Sequence, residues 1–186
     1  MMKLRVSIVL FLLSWAVASF AQDREKPWWG LDLGVFRPSS GEISDKFGQN
    51  LFRIGFRPFT NRISEKWKLI YDFSIISASD SGERMLVIPL TVGFTRSFGD
   101  PEGDFIPFVQ FGVGPAYYDY SLTRTTFGPV TERFKTRRVG GNANLEVGAM
   151  FSKRFALVAR GDWFTKADDF DFSGISITLS WAILRF

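Results

Sequence analysis

The sequence predicts an all-β protein, an eight-stranded antiparallel up-and-down transmembrane β-barrel, and three observations carry that reading. Segments of about ten residues recur in which apolar side chains alternate with polar or small ones, the period of two that places successive residues on opposite faces of a strand. Aromatic residues make up 17% of the chain, with 21 Phe and 6 Trp, although the hydrophobic fraction is an ordinary 46%. Strands with one face toward lipid and one toward a polar lumen give both properties at once, because no window of such a chain resembles a membrane helix.

The first residues read as a targeting segment. Lys3 and Arg5 precede an apolar run from Val6 to Phe20 that ends in small residues at Ala18, Ser19 and Ala21 before Gln22 and Asp23. That is the layout of a secretory signal peptide, and the run is shorter than the roughly 20 apolar residues of a spanning helix. Residues 1–21 are therefore expected to be a cleaved signal peptide and residues 22–186 a single barrel domain. Without Lys3 and Arg5 the 23 basic residues fall to 21 against 19 acidic ones, near +2. So weak a surplus gives no reason to expect nucleic acid.

Eight segments follow. The first, Trp28 to Arg37, sets Trp29, Leu31, Leu33 and Val35 against Gly30, Asp32 and Gly34, and a loop with Pro38, Ser39, Ser40 and Gly41 closes it. The second, Leu51 to Phe59, places Phe52, Ile54 and Phe56 on one face and Arg53, Gly55 and Arg57 on the other. Two arginines on one strand face require water or partners. In the third, Trp67 to Ala78, Leu69, Tyr71, Phe73 and Ile75 oppose Lys68, Asp72 and Ser74, with Ile70 and Ile76 interrupting the polar face. The fourth, Leu86 to Phe98, opposes Leu86, Ile88, Leu90, Val92 and Phe94 to Val87, Pro89, Thr91, Gly93 and Thr95, and Pro89 predicts a bulge.

In the fifth, Phe105 to Tyr120, the small residues Gly112, Gly114 and Ala116 share a face with Phe108 and Gln110, leaving room for long side chains across a narrow lumen. The sixth, Gly140 to Phe151, carries Asn142, Asn144 and Glu146 on its polar face and joins the seventh through Ser152 to Arg154, a tight hairpin. The seventh, Phe155 to Thr165, opposes Phe155, Leu157, Ala159 and Trp163 to Ala156, Val158, Arg160 and Asp162. The eighth, Ser173 to Phe186, opposes Ile175, Ile177, Leu179 and Trp181 to Ser176, Thr178 and Ser180. Counting back by twos from Phe186 selects Ala182 and Ser180, the phase opposite to Trp181 and Ile183, a conflict that a bulge near Ala182 would reconcile.

Connector lengths agree with a membrane barrel. With both ends on the inner side, connectors after strands one, three, five and seven lie outside, where Ser121 to Val139 is the longest. Those after strands two, four and six lie inside, where Ser152 to Arg154 is the shortest. Phe59, Trp67, Phe98, Phe105, Phe151, Phe155 and Phe186 all fall at inner strand ends and predict an aromatic girdle there. A soluble sandwich or lipocalin-like barrel has the same alternation with the apolar face inward. The opposite faces here collect Gly, Ser, Thr, Asn and sparse charges rather than the dense Lys and Glu of a solvated exterior, which favours an enclosed polar face.

There is no cysteine and no histidine. Disulfides and thiolate metal sites are thereby excluded, and so are the usual general base and the commonest transition-metal ligand. Neither a metal nor a cofactor is expected. Asp32, Asp72, Glu146 and Asp162 fall on polar strand faces with Arg53, Arg57 and Arg160, and the expected role of these seven is mutual pairing inside the lumen. An eight-stranded lumen is just wide enough for side chains, so such pairing would plug it.

Taken with the leader and the eight strands, the segment Phe-Ile-Pro-Phe-Val-Gln-Phe-Gly-Val-Gly from Phe105 to Gly114 and the terminal Phe186 resemble the small bacterial outer-membrane β-barrel superfamily, which includes the membrane domain of outer membrane protein A and its single-domain relatives. The resemblance spans the chain from about Trp28. It implies a Gram-negative outer-membrane location, a monomer surrounded by outer-membrane lipid, and insertion by the barrel assembly machinery reading Phe186. Members that are enzymes use a histidine, which this sequence lacks, so an enzyme is not expected. Arg124, Arg133, Lys135, Arg137 and Arg138 face only Glu132 between Ser121 and Val139, an extracellular basic loop of net +4. Such a run is either simply solvated or meets anionic lipopolysaccharide. The expected role is structural or surface-interacting in the cell envelope, with a narrow transporter for small or hydrophobic molecules as the alternative.

Overall fold

The computed structural model describes residues 28–59, 67–99, 103–125, 131–151 and 154–185, so the expected signal peptide and Phe186 lie outside the described residues. The strands are β1 (Trp28–Pro38), β2 (Leu51–Phe59), β3 (Lys68–Asp80), β4 (Glu83–Ser97), β5 (Phe105–Thr125), β6 (Thr131–Phe151), β7 (Phe155–Phe164) and β8 (Gly174–Arg185). They pair antiparallel in sequence order and β1 closes onto β8, giving an eight-stranded barrel. Closure leaves no unpaired edge, the condition for strands to cross lipid.

The faces follow the period of two. Val113, Ile177 and Leu69 point outward and are 62–63% exposed, whereas Glu146 is fully buried and Arg160 is 3% exposed. A barrel with apolar residues outside and charges inside is inverted relative to a water-soluble one, which rules out the lipocalin-like alternative. From Phe151 to Val139 on the outward face of β6, twelve steps of about 3.3 Å at a tilt of about 40° rise about 30 Å, the thickness of a hydrocarbon core. Trp67, Phe98, Phe105, Phe151 and Phe155 are exposed at the turn end, with the Phe105 and Phe151 rings 5.4 Å apart. The Phe59 side chain lies outside the described residues.

Three expectations require correction. The proposed loop from Ser121 to Val139 is mostly strand, because the β5–β6 register runs unbroken from Phe105↔Phe151 to Thr125↔Thr131. Beyond the membrane both faces of a hairpin meet water, so the ladder continues where apolar alternation has stopped. The connector after β1 carries a short helix, α1 (Gly41–Phe47), with Glu42 in its first turn, Lys46 in its last and Gly48 ending it at φ 84°. Pro89 makes no bulge: Phe73↔Leu90 and Ile76↔Val87 share one register, as do Pro89↔Ala116 and Val92↔Val113. The proline, lacking an N–H, instead coincides with a gap in the β3–β4 ladder.

The bulge expected near Ala182 is present. Across β1 and β8 the register steps from Trp29↔Leu184 to Gly30↔Ala182, so Ile183 is the extra residue. Ala182 remains buried and Ile183 faces out.

Candidate functional site

Inward-facing residues form three layers along the barrel. The middle layer is ionic. Register sets Arg53 beside Gly34, Arg57 beside Gly30 and Asp32 beside Gly55, so each long or charged side chain starts next to a residue with no side chain to displace it. A Cβ on Gly55 would come within 3.4 Å of the Asp32 Cβ and 3.1 Å of the Ser74 Cβ.

The seven residues that share polar strand faces in the sequence all meet here. Arg57 donates through Nε to Asp32 Oδ2 at 2.5 Å and through Nη1 to Glu146 Oε2 at 2.6 Å. Glu146 Oε1 accepts from Arg160 Nη1 at 2.7 Å, and Arg160 Nε donates to Asp162 Oδ1 at 2.9 Å. Asp162 Oδ2 in turn accepts from Arg53 Nη1 at 2.5 Å. Asp72 branches from Arg160 at 3.1 Å. The result is one continuous chain of four carboxylates and three guanidiniums, every member at most 7% exposed. Desolvated charges persist only with such partners.

Neutral residues complete the layer, and the sequence did not single them out. Thr91 and Gln110 donate to Asp72 at 2.7 and 3.0 Å, while Ser74 and Ser176 accept from Arg53 at 2.8 and 3.0 Å. Each lies on the inward phase of its strand, which was legible, but a hydroxyl or amide does not announce its partner. In the network Asp162 keeps Arg160 when Arg53 is removed, so Arg53→Met is expected to cost about 1–3 kcal/mol rather than the full penalty of an orphaned charge. Urea titration of the refolded barrel measures it; a cost above that of losing Arg160 would contradict the connectivity.

The second layer is an apolar core at the end carrying α1. Phe36, Ile43 of α1, Ile76, Val87, Tyr118, Tyr120, Leu122, Phe170 and Phe172 are buried there. The connector between β7 and β8 folds inward through an Ala167↔Phe170 bridge, with Asp168 and Asp169 at φ 49° and 65°. Its Phe170 and Phe172 rings lie 5.7 and 5.3 Å from Tyr120. The sequence reading missed this cap, since aromatic residues inside a connector carry no strand period. The third layer, at the turn end, is small: Ala156, Val158 and Ala182, with Phe108 and Met150 against them.

The five basic residues assigned to one loop separate into two groups. Arg124 is held bidentately by Glu42 of α1, both bonds 2.8 Å, and stacks over Phe170 at 4.5 Å. Arg138 reaches Asp168 at 3.1 Å. Arg133, Lys135 and Arg137 point the other way, to the barrel exterior. The net +4 counted along the chain is thus corrected in space, because Glu42, Asp168 and Asp119 come from other segments.

Asp168 pins the cap. Hydrogen bonds from Tyr120 (2.6 Å) and Thr136 (2.7 Å), followed by the Arg138 charge, hold its carboxyl below the usual carboxylate range. A depressed folded pKa contributes stability that is present above the ordinary Asp value of about 3.9 and lost as pH falls through the lowered one. Amide protection in residues 165–172, taken relative to the intrinsic exchange rate at each pH, is therefore expected to fall below about pH 4, and in Asp168→Asn to be low already at neutral pH. Equal protection at both pH values in both proteins would rule out the pin.

No family model matches the sequence, and no curated protein matches it. Solved structures do. Neisserial surface protein A (NspA) aligns with a TM-score of 0.57 at 10% identity, over 84% of this chain and 97% of that one. The outer membrane enzyme PagL gives 0.54 at 12%, over 83% and 99%. The N-terminal β-barrel domain of Pseudomonas aeruginosa OprF gives 0.51 at 12%, over 85% and 98%. The likeness is one of fold: the chain has the architecture of the small eight-stranded barrels of bacterial outer membranes.

Proposed function

We propose that this chain is an outer-membrane barrel that is closed to solute flow and serves a structural or surface-interaction role in the cell envelope. The observation that carries the reading is the filling of the lumen: an apolar cap, an interlocked ionic layer and an apolar foot follow one another along the axis. A conducting pore needs a continuous polar path, and the burial of Phe36, Tyr118, Tyr120 and Phe172, all at most 2% exposed, supports its absence here. The β5–β6 hairpin, two strands of 21 residues where about ten cross a membrane, offers the surface for contact outside.

Catalysis has less support. One neighbour in fold is an enzyme, yet this sequence has no histidine, and its buried carboxylates are each engaged by arginine. The test of closure is planar-bilayer recording of the refolded chain. Silence is expected, with at most brief small openings; stable large channels would overturn the closed reading and favour the narrow transporter.

A further inference from the structure

The outward face of the long hairpin changes character along one strand. On β6, residues of the lipid-facing phase run Leu145, Ala143, then Val139, which is 68% exposed, and continue as Arg137, Lys135 and Arg133. On the 30 Å rise estimated for Phe151 to Val139, Arg137 stands about 5 Å and Lys135 about 10 Å above the hydrocarbon boundary. The headgroup layer is about 5–7 Å thick, so Arg137 stands within it and Lys135 just beyond, within reach of its long side chain.

Neighbouring strands bring further charge to this face. Arg84 of β4 pairs across Ser121 of β5, which itself pairs with Lys135, so Arg84 and Lys135 are outward neighbours two strands apart. Asp119 sits between Arg84 (3.2 Å) and Arg137 (2.9 Å) and is the carboxylate that both share. Arg133 spends its guanidinium on neutral acceptors, Ser121 Oγ at 3.0 Å and the Gly82 carbonyl at 2.9 Å. Lys135 has no ion pair among the described residues. Four cations around one carboxylate leave three positive charges directly above an apolar wall that includes Val139 and Tyr117.

We infer that this face, Arg84, Lys135 and Arg137 with Arg133 behind them, binds the phosphate-bearing headgroup of a membrane lipid whose acyl chains lie against Val139 and Tyr117. Guanidinium forks match phosphate oxygens bidentately, and a lysine adds a mobile point charge. Continuity with the apolar belt favours a lipid: it offers a phosphate and its chains to the two halves of the surface together. The inference rests on the membrane placement proposed above. It also narrows the anionic-surface role from five basic residues to the outward set, leaving Arg124 and Arg138 to the cap.

The experiment uses the full barrel refolded in zwitterionic detergent, with diphosphorylated lipid A or the same lipid stripped of phosphate titrated in and bound lipid counted by native mass spectrometry. Wild type is expected to retain the phosphorylated lipid at least tenfold better. The R84Q/K135Q/R137Q variant should lose most of that preference, while R37Q, which removes an outward base on β1, should keep it. No phosphate preference in wild type, an unchanged triple variant, or an equal loss in R37Q would each overturn the inference. Heat-dependent gel mobility is read on every sample. Its absence in wild type would overturn the barrel reading and the inference together, whereas a shifted barrel without preference overturns the inference alone.

Discussion

Replacing Arg160 with Met is expected to lower the stability of the refolded barrel by about 3–5 kcal/mol, the cost of breaking a buried ion pair from one side. Arg160 is the node of the lumen chain, touching Asp72, Glu146 and Asp162 at 2.7–3.1 Å. Its removal sets three buried carboxylates facing one another with Arg53 and Arg57 left to balance them. Ionised, they repel in a medium of low dielectric; protonated, they no longer serve as charged acceptors. Urea midpoints followed by gel mobility give the loss directly. Two comparisons test its cause: Arg53→Met should cost less, and adding Glu146→Gln to the Arg160 variant should recover part of the loss by removing one of the repelling charges. A cost below about 1 kcal/mol would mean that water screens the layer, the exposed-pair regime, and that the lumen is not closed.

Gly93→Ala is the second large effect. Gly93 of β4 stands opposite Gly112 of β5 on the inward face. A Cβ there would fall on the carbonyl oxygen of Phe111 and within 2.6 Å of the Gly112 Cα, both backbone atoms that cannot rotate away. The β4–β5 ladder must part or shift, so the loss is expected at or above the upper end of the 1–3 kcal/mol typical of overpacking, with a lower yield of folded, heat-modifiable protein. Gly41→Ala is the matched control. Its Cβ would meet nothing within 4 Å, so a change of under about 0.5 kcal/mol is expected. Equal behaviour of the two variants would contradict the close approach of β4 and β5.

Much of the architecture was legible because lipid and a narrow lumen impose opposite demands on alternate residues. Phe52, Ile54 and Phe56 against Arg53 and Arg57 can be satisfied in only one phase, and the bulge at Ile183 could be foreseen from two apolar series that disagree. Where the environment stops distinguishing the two faces, the signal stops as well. Thr131 to Val139 is paired strand, yet its composition is that of a loop because water lies on both sides. The cap was invisible for a related reason: Phe170 and Phe172 lie in a connector, and only the closed barrel supplies the pocket that buries them.

By itself, then, the sequence determined strand number, strand faces and the identity of the charged residues that must meet inside, since each is a local consequence of a period of two in a membrane. The tertiary structure decided which carboxylate meets which guanidinium, that the β7–β8 connector packs inward, and that the basic residues divide between that connector and an outward face. Those are properties of register and closure. They depend on pairs such as Arg57 and Glu146, 89 positions apart, whose adjacency no stretch of sequence encodes.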